Sequence, residues 1–353
     1  MNTFSAFWHF LAFAFMLEFL AGCAPQPVAS LVARGLNQPR GMAFDSDGHL
    51  FVAETGAYTA DEVHDGPPGS NHSGRVLRID SDRRITPVME ALPFTQQKIN
   101  GDTGVTDVAV LDGDLYVLIG EGLDDNLSRR LLQASSTGRA RRVANLLDIV
   151  TQTTTAQDMD VGRIKANPFA MIAAPDGAAF YVSDGASGRI LHVELDGDVR
   201  VFAETPGMPP LAGMSFGPDG RLYVAVFSHW PHTPGSGAIW AADSTGGLTP
   251  AVAGLTMPID VAFDKAGSLF AIEFSDGRNM EKPYAAWSGR LLRIAPDGAQ
   301  TVLLDHLNYP TAMLFSPTGD LFIAVGGAFT GAGHGAIIKL ACQAISERAA
   351  CAP

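Results

Sequence analysis

Along most of the chain, short apolar stretches alternate with turn residues, and one arrangement of the two recurs six times. It consists of an apolar strand, a turn carrying Gly, and a second strand of the form Leu-Phe/Tyr-Val-Ala. The first copy runs Pro39 to Phe44, turns at Asp45-Ser46-Asp47-Gly48, and continues through Leu50-Phe51-Val52-Ala53. The others begin at Val105, Pro168, Leu211, Pro258 and Pro310, with turn glycines at Gly113, Gly177, Gly220, Gly267 and Gly319. Asp-Gly and related turns supply the positive φ that a tight hairpin needs, so each copy predicts a strand pair. Five copies carry a third strand opening near Gly, as in Gly74-Arg75-Val76-Leu77 and Gly289-Arg290-Leu291-Leu292, and most carry a fourth, such as Thr301-Val302-Leu303-Leu304.

Four antiparallel strands repeated six times predict an all-β fold, a six-bladed β-propeller. The sixth copy stops after its third strand, whereas residues 28–36 match the pattern of a fourth strand. The N-terminal strand is therefore expected to complete the last blade and remove an open edge. Uneven spacing of the turn glycines places the extra length in stretches 54–73, 93–103, 120–138, 148–167, 227–236, 274–288 and 325–334. In an antiparallel blade these emerge on one rim, and loops on a rigid scaffold are where binding and catalysis concentrate. Leu127, Leu131 and Leu132, and again Leu146, Leu147 and Val150, recur at helical spacing and predict short helices on that rim.

Composition agrees with short strands and tight turns: 38 Gly and 22 Pro in 353 residues, with 17% charged. A formal charge of −13 repels phosphate backbones and argues against nucleic acid as a partner. The apolar run Phe10 to Leu20 followed by Leu20-Ala21-Gly22-Cys23 has the form of a lipobox, although Glu18 interrupts it and no Lys or Arg precedes it. The expected organisation is a lipoprotein signal peptide over 1–22, a tether over 23–29 starting at a lipidated Cys23, the propeller over 30–341 and a tail over 342–353. The protein is then exported, held to a membrane by the lipid alone, in the periplasm or on the outer surface, and acts as a monomer. Cys342 and Cys351 remain as a pair that an oxidising compartment lets form a disulfide or leaves as two thiols.

Acidic residues follow the second strand at Glu54, Glu121, Asp184 and Glu273. With Asp260 they form a candidate oxygen set for Ca²⁺ or another divalent cation, the alternative being turn carboxylates that bond backbone amides. Asn100, Asp102, Asp107 and Asn167 lie near the inner strands. Histidines gather in the long loops at His64, His72, His229, His232 and His334, beside Trp230, Tyr284, Trp287 and Arg278. The densest piece, His229-Trp230-Pro231-His232, offers a base or ligand with an aromatic wall suited to a flat or sugar-like molecule. The candidate ligand-binding rim is thus His64, His72, Asn100, Asp107, Asn167, His229, Trp230, His232, Arg278 and His334. No zinc-helix spacing, nucleophile elbow, phosphate loop or dinucleotide fingerprint occurs. Arg129, Arg130, Arg139, Arg141 and Arg142 read as a solvated face or a contact for an anionic group.

The runs Thr103-Gly104-Val105-Thr106-Asp107-Val108-Ala109, Asn167-Pro168-Phe169 and Gly217-Pro218-Asp219-Gly220-Arg221-Leu222-Tyr223-Val224 resemble the ScyD/ScyE family of exported bacterial propellers. The loop Phe227 to Gly237 and Ile259-Asp260-Val261-Ala262-Phe263 fit the same resemblance, which covers residues 30 to 340. NHL-repeat, SMP-30/gluconolactonase and sorbosone-dehydrogenase propellers share parts of the pattern. The resemblance implies an envelope protein, in some members associated with pigment biosynthesis, and transfers no catalytic residue. Two functions follow as expectations: binding of a small molecule or an envelope protein on the long-loop face, or catalysis as a metal-dependent lactonase or quinone-dependent sugar dehydrogenase.

Overall fold

Side-chain oxygens of Asp45, Asp176, Asp219, Asp264 and Ser316 hold the corners of five of the hairpins, while the second turns on Asp112-Gly113, both at positive φ. At the first, Asp45 Oδ1 accepts from the N–H of Asp47 and of His49 at 3.0 and 2.8 Å, and Gly48 takes φ +82°, which an L side chain rarely adopts. The computed structural model describes residues 27–58, 69–97, 101–123, 126–135, 138–153, 166–278, 284–346 and 351. Cys23, His64 and Asn100 lie outside them.

The strands form six four-stranded antiparallel sheets. Their innermost strands are Pro39–Phe44, Val105–Leu111, Pro168–Ala173, Leu211–Phe216, Pro258–Phe263 and Ala312–Phe315, for blades 1 to 6. Successive inner strands touch in order, and the sixth touches the first, so the sheets stand around one axis as a six-bladed β-propeller. Ser30–Leu36 pairs antiparallel with Gly335–Leu340 as the outer strand of blade 6, joining the two ends of the chain in one sheet.

Alternation along each strand turns apolar side chains to both faces, and the faces meet between blades. Val52 and Leu77 of blade 1 pack with Ala324 and Ile337 of blade 6, and Phe180 and Val182 of blade 3 pack with Leu118 and Leu131 of blade 2. Side-chain hydroxyls staple the inner ends: Thr55 to Val105 O at 3.0 Å, Ser183 to Ala212 O at 2.7 Å, and Thr311 to Pro39 O at 2.7 Å.

Blade 2 departs from the helical expectation. Leu131 and Leu132 belong to the strand Arg130–Ala134, where neighbouring side chains face opposite sides of the sheet and both are fully buried. The second expected helix is present as Leu146–Thr153. In the tail, Cys342 and Cys351 are joined by a disulfide with Cα atoms 5.5 Å apart. Among the described residues, no helix is long and apolar enough to cross a membrane.

Candidate functional site

An inner strand leaves one edge without a neighbour, and its amides face the axis. Two aspartates satisfy part of that edge. Asp107 Oδ1 accepts from Val108 N–H at 2.8 Å, and its Oδ2 accepts from Met171 N–H of the next blade at 2.7 Å. Asp260 repeats the arrangement with Val261 N–H at 2.8 Å and Met313 N–H at 2.7 Å. The sequence around the axis is correspondingly twofold: Gly41-Met42, Asp107-Val108 and Ala170-Met171 recur as Gly213-Met214, Asp260-Val261 and Ala312-Met313. The glycines make room, since a Cβ on Gly41 would lie 1.7 Å from Asp107 Oδ1 and one on Gly213 1.9 Å from Asp260 Oδ1.

Burial dominates the ionisation of both carboxyls, against the smaller pull of the backbone donors. Asp107 is pushed up to about 7 and Asp260, which also feels Asp107, to about 8. The two line an axial cavity of about 430 Å³ together with Arg40, Phe169 and methionines from blades 1, 3, 4 and 6. Its lining continues to Phe44, Val110, Phe263 and Phe315, half-buried residues at the hairpin ends of their strands. The cavity therefore runs along the axis, from Arg40, Thr106, Phe169 and Thr311 at the long-loop ends of the inner strands to their hairpin ends.

The long-loop rim over blades 4 to 6 carries an aromatic patch. His232 is buried, its Nε2 2.9 Å from Tyr284 Oη and its Nδ1 3.3 Å from Ser228 Oγ. Desolvation lowers the His232 pKa and raises that of Tyr284, so the pair is neutral at physiological pH. Phe227, Trp230 and Tyr284 surround the imidazole with centroids at 5.2, 5.6 and 5.5 Å, and Tyr284 stacks on Phe329 at 5.2 Å. Trp230 is 60% exposed, Phe329 38%, and Trp287 of the same loop region 64%. Left-handed backbone at Ser228, His232, Trp287, Tyr309 and Phe329 gathers in this region, with φ of 88°, 58°, 60°, 41° and 56°. Such conformations cost about 1–3 kcal/mol each and concentrate where geometry serves a ligand. Chemically, the patch can stack a flat face against its rings and offer the exposed indoles to it.

The acidic residues that end second strands do not meet at one point. Glu54 accepts from Asn37 N–H at 2.7 Å and pairs with Arg75, while Glu273 accepts from Thr256 N–H at 2.6 Å and pairs with Arg290. Asp184 accepts from the N–H groups of Asn167, Ala186 and Ser187 at 3.1, 2.8 and 2.8 Å. Each ties the entry of its own blade to the end of its second strand, which is the backbone-bonding alternative. Glu121 is half-buried, 4.0 Å from Arg129 Nη2, and its N–H donates to Asn167 Oδ1 at 3.1 Å. Arg129 also donates from Nε to Ala166 O at 3.1 Å and from Nη1 to Gly122 O at 3.0 Å, so within the arginine group it holds a loop. Among the described residues, the one acidic or histidine group with ligand atoms within 4.8 Å of one another is Asp45, Asp47 and His49, in the first hairpin turn.

Among the described histidines, His232 alone is in the buried core of the patch. His229 and His334 are exposed, and His72 is half-buried in Ser70–Ile79 of blade 1. Arg278 projects to solvent beside Asp276 at 3.3 Å. Spacing gave no sign of Phe274, Tyr309 and Phe329 as neighbours of His229-Trp230-Pro231-His232, because they come from different blades.

No family model and no curated protein matches the sequence. Solved structures do. A gluconolactonase from Xanthomonas campestris is 17% identical, with 88% of each chain covered and a TM-score of 0.57. A putative oxidoreductase (glucose dehydrogenase) from Thermus thermophilus is 16% identical over 89% of this chain and 99% of that one, with a TM-score of 0.58. The PQQ-bound aldose sugar dehydrogenase from Streptomyces coelicolor is 16% identical over 90% and 99%, with a TM-score of 0.54. At such identities the likeness is one of fold: the chain is a six-bladed β-propeller of the architecture found in gluconolactonase and sugar-dehydrogenase propellers.

Proposed function

We propose that this chain is an exported envelope propeller of ScyD/ScyE type that binds a flat or sugar-like small molecule on its long-loop face. The supporting observation is the aromatic patch, where exposed Trp230 and Phe329 pack against the neutral His232–Tyr284 pair. Rigid aromatic side chains present apolar area at low entropic cost, which suits stacking recognition. Titration of the mature protein with aryl glycosides, followed by tryptophan emission, tests the reading. Trp230→Ala is expected to weaken binding about 10-fold or more, the usual cost of truncating an aromatic anchor, and unchanged affinity counts against the patch.

Anchoring is part of the same proposal. Metabolic labelling with a fatty-acid analogue should mark the wild-type chain and miss Cys23→Ser, whereas equal labelling removes Cys23 as the acceptor.

The enzymatic reading draws support from the solved propellers whose names describe a gluconolactonase and sugar dehydrogenases. A lactonase would need an oxygen set for a divalent cation, and Glu54, Asp184 and Glu273 are engaged separately in three blades. Turnover of lactones or aldoses, with Ca²⁺ or a quinone supplied, would favour this second reading over binding.

A further inference from the structure

The twofold repeat around the axis separates what the ring requires from what it does not. Asp107 and Asp260 occur in both halves and serve the same backbone groups, so they belong to the scaffold. Arg40 occurs in one half only. Its counterpart in the other, beside Gly213 as Arg40 is beside Gly41, is Ala212, which is buried at 1% exposure. A ring that closes around alanine at one position has no structural need for a guanidinium at the other.

Arg40 is also incompletely satisfied. Among the described residues lining the axial cavity it is the one cationic side chain. Its Nη2 donates to Asp102 O at 3.0 Å, and its Nε is buried with no partner. Asp102 turns its carboxylate elsewhere, to Gln38 Nε2 at 2.7 Å and to Gln97 N–H at 3.1 Å. Depth lowers the Arg40 pKa to about 10, with Asp102 opposing the shift, so the group remains a cation at neutral pH. A half-buried cation whose Nε is shielded from solvent and unpartnered gains when something completes its shell.

We propose that Arg40 receives the carboxylate of a small organic acid bound in the axial cavity. A planar carboxylate matches the guanidinium fork. Met42, Met171, Met214, Met313 and Phe169 supply an adaptable apolar wall for its body. Asp107 and Asp260 in the same cavity disfavour a dianion, which points to a monocarboxylate and away from phosphate. This site shares no lining residue with the aromatic patch, so either can fail without the other.

The test is calorimetric titration of the full mature protein with sodium benzoate, its neutral analogue benzamide, and inorganic phosphate. Benzoate should saturate the wild type in the millimolar range or below, with benzamide and phosphate giving no saturable signal. Arg40→Gln should weaken benzoate about 10-fold or more, the worth of a charge-assisted hydrogen bond. Raising the pH from 6.5 to 8.5 should also weaken it several-fold, as Asp107 and Asp260 lose their protons near 7 and 8. Equal binding of benzoate and benzamide overturns the proposal, as does stronger binding of phosphate or retained affinity in a folded Arg40→Gln. If Arg40→Gln does not fold, the comparison of benzoate with benzamide on the wild type, and its pH dependence, still decides.

Discussion

Alanine at Gly41 is expected to destabilise the folded chain by about 3–5 kcal/mol, combining overpacking with the loss of buried hydrogen bonds. The added Cβ would sit 1.7 Å from Asp107 Oδ1, 2.4 Å from its Cγ and 2.8 Å from its Cα. Rotating the side chain clears the first two contacts and not the third, so the inner strands of blades 1 and 2 must also separate. A carboxylate that swings away strands the N–H groups of Val108 and Met171 at the axis. Gly213→Ala should behave alike, with contacts of 1.9, 2.6 and 2.9 Å to Asp260. Denaturant midpoints measure the loss. In a double-mutant cycle, Asp107→Gly should recover part of it, with a coupling of about 1 kcal/mol or more. A Gly41→Ala protein with an unchanged midpoint would mean that these strands stand farther apart than described.

The second large effect is on the pH dependence of stability. Asp107 and Asp260 rise from 3.8 to about 7 and about 8, chiefly through burial, and Asp184 moves in the same direction. Between about pH 4 and 8 the folded chain therefore holds more protons at these sites than the unfolded chain, and unfolding releases them. Stability should fall as pH rises through that window, with the favourable term complete below about pH 4 and gone above about 8. Each pKa unit is worth about 1.4 kcal/mol, so the two sites together contribute on the order of several kcal/mol. Asp219, Asp243 and Asp320 have lowered pKa values and act oppositely, losing their contribution as pH falls below the ordinary carboxylate range. The optimum should then be mildly acidic. Denaturation at pH 5, 6.5, 8 and 9 should show a descending series in the wild type. Asp260→Asn should flatten its upper end, at the cost of one acceptor for Val261 or Met313 N–H. A series that ascends across this range would contradict the assignment.

The repeat was legible because each turn glycine and each Leu-Phe/Tyr-Val strand carries its own local chemistry. Blade 2 was harder, since its third strand lacks the Gly-Arg opening and holds Leu131 and Leu132 in succession, a pair whose spacing with Leu127 suits a helix equally well. Acidic residues at strand ends were visible, and their roles were not. Glu54 and Asp107 look alike in the sequence, yet one clasps Asn37 N–H within a blade and the other crosses to Met171 N–H at the axis. That difference is one of register, which composition does not encode. The twofold recurrence of Gly-Met, Asp-Val and Ala-Met was present in the letters and gains meaning only when the six inner strands are set around one axis. The aromatic patch joins residues from 227 to 329 across three blades, a neighbourhood that linear spacing does not reveal.

Native mass spectrometry of the purified protein, sprayed from a volatile buffer after Ca²⁺ loading, most directly tests whether this propeller binds through its rings and not through a metal. The expected mass is that of the metal-free chain. One tightly retained divalent ion per molecule, displaced in Glu54→Gln, Asp184→Asn or Glu273→Gln, would contradict it.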